Sequence, residues 1–253
     1  MFSEPESGYA KHLSDGLFRR FREWRAASER LAPQGDEKNI ERFRIAVDIS
    51  SMTRERLAQT LMAVVSGSDV TAEVDFYYAI ARFAPLVGSE GIVTVNQPLE
   101  GFEGWFEDPS LPVACVIGAG FEGNLALGAI EQLEPAVTFV FVPTGVDNSY
   151  DTILEQRNSE LFRSSDVRLI TYDVSSPFEC LTYLDSLVHR LVSDYRVVLV
   201  PLGPKIFCLG ALLASIMQGL RIAVWRLSAG DDREPQNRVP LDRVVGLRME
   251  VGM

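Results

Sequence analysis

Strand-like and helix-like patterns alternate through most of this 253-residue chain, and the alternation constrains its fold more than any other feature. Apolar runs with the length of strands occur at 43–49, 71–80, 113–117, 137–142, 167–172, 197–201 and 221–227. Stretches with helical spacing occur at 53–65, 124–133, 150–162, 177–194 and 206–218. Because a helix between two strands is typical of parallel pairing, we predict an α/β fold. It is a Rossmann-like, mostly parallel sheet with helices on both faces.

Two segments depart from this alternation and set the predicted domain organisation. Within residues 1–40, apolar positions recur at helical spacing, which predicts an N-terminal amphipathic helix followed by a linker. Residues 81–112 are rich in proline, glycine and aromatic residues, which predicts an irregular insertion that serves as a lid or as a partner-binding loop. The Rossmann-like domain is predicted to span 41–253, with a last edge strand near 243–251.

The charge of the chain excludes two classes of partner. Its formal net charge is −11, and a non-specific grip on nucleic acid or on an acidic membrane needs basic surface instead. We therefore predict neither non-specific nucleic-acid binding nor membrane binding. A small anionic ligand in a focused local site remains compatible with an acidic protein.

The cysteines and histidines indicate a reducing compartment and no metal. Cys115, Cys180 and Cys208 lie in apolar patterns without metal-ligand or disulfide-framework spacing. His12 and His189 have no partners at ligand spacing, so we predict no metal and no His-based catalytic triad. The amino terminus lacks the basic and apolar regions of a secretion signal, and a cytoplasmic location is expected.

A glycine-rich turn is the most informative local motif. Gly118, Gly120 and Gly123 follow a strand pattern and precede a helix pattern, which is the context of a phosphate-binding loop. A dinucleotide site also needs an acidic residue at the end of the next strand, and that strand ends in Thr144 instead. Glu122 within the loop would repel a pyrophosphate. We therefore predict a nucleotide-like ligand without an NAD or FAD cofactor, and the alternative is a turn that only permits close helix packing.

Other candidate residues follow the ends of other strands. Ligands of open parallel sheets bind beyond the carboxyl ends of the strands, where right-handed crossovers gather the connecting loops. Helix N-termini and the positive charges of Arg54 and Lys205 would favour an anion there. No catalytic residue is assigned. The predicted ligand-binding residues are Ser50, Ser51, Thr53, Arg54, Gly118, Gly120, Glu122, Gly123, Asn124, Thr144, Gly203 and Lys205.

The strand at 197–201 and the Gly203-Pro204-Lys205 turn after it resemble the last crossover of CRISPR-associated Rossmann-fold (CARF) sensor domains. That family belongs to prokaryotic antiviral defence and binds cyclic oligonucleotides between two protomers. The resemblance implies that Ser50, Ser51 and Thr53 match its first ligand loop, and that Gly203 and Lys205 match its second. Here Pro204 replaces a polar residue, a second glycine is missing, and no recognisable effector domain follows.

These observations predict a Rossmann-like module that senses a nucleotide or nucleotide-derived signal and reports it through a homodimer or a protein partner. One alternative is a nucleotide-processing enzyme of the N-glycosidase or transferase type, with Glu122 or Asp48 acting on the ribose. Another is a structural subunit of a larger complex, which docks its partner through the N-terminal helix and the aromatic residues Phe102, Trp105 and Phe106.

Overall fold

The computed structural model describes residues 42–66, 71–82, 95–104, 108–145, 148–228 and 239–251. The predicted N-terminal helix and linker lie outside these residues. The strands are β1 (Arg42–Asp48), β2 (Thr71–Ala81), β3 (Val95–Pro98), β4 (Val113–Gly118), β5 (Val137–Thr144), β6 (Val167–Asp173), β7 (Arg196–Pro201), β8 (Ala223–Ser228) and β9 (Pro240–Val251). The helices are α1 (Arg54–Val65), α2 (Gly123–Leu133), α3 (Asn148–Arg157), α4 (Ser159–Arg163), α5 (Pro177–Leu191) and α6 (Lys205–Met217).

A six-stranded sheet confirms the predicted Rossmann-like α/β fold. Its strand order is β3-β8-β7-β4-β5-β6, and all neighbours pair in parallel except β3, which runs antiparallel to β8. Counted from β4, the chain first builds outward through β5 and β6 and then returns to the other side of β4 for β7 and β8. The order therefore reverses between β4 and β7, which is where ligands bind in folds of this type.

Strand β1 does not belong to this sheet, contrary to the expectation of a single sheet. It pairs in parallel with β2, and β9 pairs with β2 in antiparallel fashion to complete a separate three-stranded sheet. The physical reason is visible in the burial pattern. Val47 is buried whereas Arg44 and Asp48 are exposed, as in a sheet with one solvated face, while β4 is buried almost throughout.

Two apolar cores hold the layers together. The larger core joins the inner face of the three-stranded sheet to α1, α5, α6 and one face of the six-stranded sheet. The smaller core joins the other face of the six-stranded sheet to α2, α3 and α4. Helix α6 is buried continuously from Ile206 to Ser215, so it is an interior helix rather than an amphipathic surface helix.

The segment predicted as an irregular insertion differs from that expectation in one respect. Its strand β3 extends the six-stranded sheet, and Leu99 and Phe102 behind it are buried. Leu99 donates its backbone N–H to Val224, and Val224 donates its own to the Phe102 carbonyl. Phe102 is therefore a core residue and not a docking residue. Trp105 and Phe106 lie outside the described residues.

Asp75, Arg44 and Arg248 form an ion cluster on the outer face of the three-stranded sheet. This cluster predicts how the stability of the protein depends on pH. Asp75 accepts hydrogen bonds from Arg248 at 2.6 and 3.1 Å and from Arg44 at 3.0 Å. These arginines, Arg248 foremost, lower the pKa of Asp75 from 3.8 to about 2. Because the folded-state pKa is depressed, the stabilisation is present above pH 3.8 and disappears as the pH falls through about 2.

We expect Asp75→Asn to be less stable than the wild type at pH 7, and the difference to narrow steadily below pH 4. Urea unfolding at several pH values measures this. A difference that stays constant down to the lowest pH at which both proteins fold would show that the charge of Asp75 contributes nothing.

Candidate functional site

The loop after β4 and the turn after β7 lie side by side at the point where the strand order reverses. Leu202 donates its backbone N–H to the Gly118 carbonyl at 3.2 Å. A Cβ on Gly203 would lie 2.3 Å from the Ala119 carbonyl oxygen, closer than any real side chain permits. Gly203 is thus required because the two backbones pass each other here. The two segments are therefore adjacent, as predicted.

The three glycines of the β4 loop are close to protein atoms. A Cβ on Gly118 would lie 2.2 Å from Phe207 Cδ1, and one on Gly120 would lie 2.7 Å from the Leu202 carbonyl oxygen. A Cβ on Gly123 would lie 2.2 Å from the Arg157 carbonyl oxygen. All three glycines are buried. Their close approaches are therefore explained by packing of the loop against α6, the β7 turn and the end of α3.

Aromatic and amide side chains fix the loop from the other side. Phe121 is buried and its ring centroid lies 4.7 Å from that of Tyr150 in an edge-on arrangement. The buried Asn158 donates from Nδ2 to the Gly120 carbonyl at 2.8 Å and to the Leu154 carbonyl at 2.9 Å. No motif in the sequence singles out Asn158 for this role. The loop is consequently a largely buried turn in which the Gly120 carbonyl already has a protein partner.

Arg54 brings the segment after β1 to the same place, although β1 belongs to the other sheet. Its Nη2 donates to the Leu202 carbonyl at 2.5 Å and lies 3.4 Å from the Gly203 carbonyl oxygen. The adjacent Glu55 pairs with Arg226 of β8 at 2.8 Å. These contacts fasten the first turn of α1 to the six-stranded sheet. The predicted convergence therefore holds for Arg54, through a side-chain contact rather than through shared strands.

The hydroxyl residues of the same segment have local structural roles. Thr53 is the N-cap of α1, and its Oγ1 accepts the Arg56 N–H at 3.1 Å. Ser50 Oγ accepts the Ala79 N–H at 2.8 Å, which links the loop to β2. Ser51 is exposed. Asp48 accepts the Ser50 N–H at 2.9 Å and acts as the turn residue.

Arg54 contacts the turn before α6, and α6 itself begins with a second cationic residue. Lys205 is its first residue, and the N-cap Pro204 offers the helix no side-chain acceptor. Burial raises the pKa of the Cys208 thiol, and the charges of Arg54 and Lys205 act in the opposite direction. The N-terminus of α6 and the nearby start of α1 add partial positive charge to the same region.

The remaining predicted residues lie at the margins of this site. Glu122 is the N-cap position of α2, with no side-chain capping bond, and its carboxylate lies above Gly120. Asn124 is exposed in the first turn of α2. Thr144 is the last residue of β5, which pairs with β6, and its Oγ1 donates a hydrogen bond to the Tyr172 carbonyl at 3.1 Å. The structure thus groups Arg54, Gly203 and Lys205 with the β4 loop and leaves Thr144 beside β6.

A groove of about 670 Å³ lies beyond Thr144, on the face of β5 and β6 that carries α3 and α4. Val142, Leu154 and Leu169 contribute its apolar surface, while Asp151 and Arg163 are charged residues of its lining. Leu169 is 46% exposed, which is high for a large apolar side chain on a strand. No motif in the sequence marks this groove.

Two kinds of feature are absent from the described segments, a cluster of metal ligands and a membrane-spanning helix. Within them, no group of three histidine, cysteine or acidic side chains is arranged to hold a metal ion. None of the helices built by those residues is long and apolar enough to cross a membrane.

Comparison with known proteins gives no family. A scan against protein-family models matches none of them to this chain, and a search of curated proteins finds no significant relative. The function must therefore be inferred from the site itself.

Proposed function

We propose that this chain is a non-catalytic Rossmann-like module that binds a nucleotide or nucleotide-derived anion at the carboxyl edge of the six-stranded sheet. The observation that supports this most is the contact of Arg54 with the Leu202 carbonyl, because it brings the start of α1 to the start of α6. Arg54 then lies beside the turn that follows β7, and Lys205 begins the helix after that turn. Such a grouping favours an anion even in an acidic protein.

The ligand is expected to lie on the outer side of the glycine loop. The space next to Gly118, Gly120 and Gly203 is filled by Phe207, Leu202 and Ala119, so a phosphate beneath the loop would have to displace protein. Ser51 and Asn124 are exposed and Lys205 is half-buried, so these side chains can be reached from solvent. A ligand in this position would be bound by side chains more than by backbone groups of the loop.

A sensing role is preferred to catalysis. Asp48 is occupied by the Ser50 N–H, and Glu122 folds back over its own loop. We further propose the context implied by the CARF resemblance, a cytoplasmic sensor of a defence signal. Cys115, Cys180 and Cys208 are free and buried, which fits a reducing compartment.

A structural subunit is the second candidate, and the closed packing of the glycine loop favours it. If Phe121, Leu202 and Phe207 simply complete the core, the glycines need no ligand to explain them. Under that function the site would bind no small molecule.

A thermal-shift screen against mononucleotides, dinucleotides and cyclic oligonucleotides separates the two candidates. A ligand present at 100 times its dissociation constant contributes about 2.7 kcal/mol, which gives a clear rise in Tm. We expect a shift that Lys205→Ala abolishes. Arg190→Ala is the matched control, because it removes one exposed cation from the last turn of α5, at the opposite end of the sheet, and should leave the shift intact. No shift with any compound would favour the structural subunit.

A further inference from the structure

Strand β6 forms one edge of the six-stranded sheet and has features of an interaction surface. In the described part of the chain β6 pairs with β5 on one side and with no strand on the other. Its residues Arg168, Leu169 and Thr171 are exposed, and it contains neither proline nor lysine, which commonly protect edge strands. The groove described above runs along the same strand, so both the edge and one face of β6 are accessible.

The backbone of β6 has a definite set of groups that point away from β5. Val174 donates its N–H to the Thr144 carbonyl of β5, and the Tyr172 carbonyl accepts from Thr144 Oγ1. Backbone groups of alternate residues point to opposite sides of a strand. The N–H and C=O groups of Leu169 and Thr171 therefore point outward, where another strand would bond to them.

The outward groups complement those of a second, antiparallel copy of the same strand. With Ile170 opposite the partner's Ile170, Leu169 lies opposite the partner's Thr171 and exchanges both backbone hydrogen bonds with it. Both side chains face the groove side of the sheet. Leu169 then lies diagonally opposite the partner's Leu169 on the same face of the sheet. Each of these exposed apolar side chains is covered by the other.

The charges along β6 are also self-complementary. Within β6, Arg168 lies near the amino end and Asp173 at the carboxyl end. A two-fold axis through Ile170 places the basic end of one copy beside the acidic end of the other. A surface with this polarity fits its own copy better than a uniformly charged peptide.

We propose that the chain forms a two-fold dimer through antiparallel pairing of β6 with the partner's β6, which extends the sheet across both subunits. This interface goes beyond the proposed ligand site and does not depend on it. Each subunit keeps its own carboxyl-edge site, and the two grooves become continuous across the axis.

The test is the mass of the full chain in solution, measured by light scattering or sedimentation over a wide concentration range. We expect a dimer that Thr171→Pro converts to a monomer, because proline removes the outward N–H and leaves the bonds to β5 intact. Thr171→Val keeps that N–H and is the matched control that should remain dimeric. Leu169→Lys is a second disruptive variant for the case that the proline impairs folding, which circular dichroism would reveal.

A cysteine pair tests the register. In the proposed arrangement the two Ile170 residues form a non-hydrogen-bonded pair with Cα atoms about 4.5 Å apart, within disulfide range. Ile170→Cys should therefore give a cross-linked dimer on mild oxidation, and Leu169→Cys should do so less readily. A wild-type monomer at every concentration, or a dimer that survives both Thr171→Pro and Leu169→Lys, would overturn the proposal. If the protein is a monomer, the β6 edge would instead be available for pairing with a strand from another protein.

Discussion

Replacing Gly123 with alanine is expected to destabilise the protein by about 2–3 kcal/mol, because overpacking against fixed backbone is hard to relieve. The added Cβ would lie 2.2 Å from the Arg157 carbonyl oxygen, and a backbone carbonyl cannot rotate away as a side chain can. The N-terminus of α2 would have to move away from α3, which loosens the smaller core. Urea unfolding monitored by circular dichroism measures the effect.

Gly128 in the same helix is the matched control. It is exposed, and a Cβ there would meet no atom within 4 Å. Since alanine is a better helix former than glycine, Gly128→Ala should raise the free energy of unfolding by about 0.5–1 kcal/mol. Equal effects at the two positions would contradict the close contact between α2 and the end of α3.

Truncation of Phe207 to alanine is expected to lower the free energy of unfolding by about 3–5 kcal/mol, as for other fully buried phenylalanines. Its ring centroid lies 5.3 Å from that of Phe141 and 6.0 Å from that of Tyr172. The ring also fills the space where Gly118 has no side chain. Gly118→Ala alone should destabilise the protein by about 1–3 kcal/mol, because its Cβ would overlap that ring.

The two substitutions should not be additive. In the Phe207→Ala background the ring is gone, so Gly118→Ala should have almost no effect, and the double-mutant cycle should show strong coupling. Gly210→Ala, also in α6, serves as the control because the nearest atom to its Cβ would be 3.7 Å away. Additive effects of Gly118→Ala and Phe207→Ala would show that Phe207 is not what requires the glycine.

Most strands and helices were predictable, except β3 and the break between α3 and α4, but the partners of the strands were not. The apolar run of β4 and the periodicity of the helices that follow it are strong local signals, and both elements appear where expected. Membership of a sheet depends on contacts between residues far apart in sequence. The alternation of exposed Arg44 and buried Val47 was a local signal for a half-exposed strand, and it separates β1 from the buried strands.

In the candidate site, too, the local motif was predictable from the sequence but its long-range contacts were not. Glycine is needed both where a phosphate approaches a backbone and where another backbone does, so the sequence left both interpretations of the β4 loop open. Only the positions of Phe207 and of the Leu202 and Arg157 carbonyl groups reveal which atoms are close. Arg54 was correctly grouped with Gly203, yet the contact depends on α1 crossing to the six-stranded sheet, which no local pattern encodes.

Hydrogen–deuterium exchange with and without a saturating nucleotide, chosen as the compound with the largest thermal shift, tests the ligand site most directly. We expect slower exchange in peptides that cover 50–57, 118–126 and 202–209, with no change in the peptides of α3, α4 and β6. Unchanged exchange in all three segments, or protection confined to the groove beside β6, would contradict a ligand site at the carboxyl edge between β4 and β7.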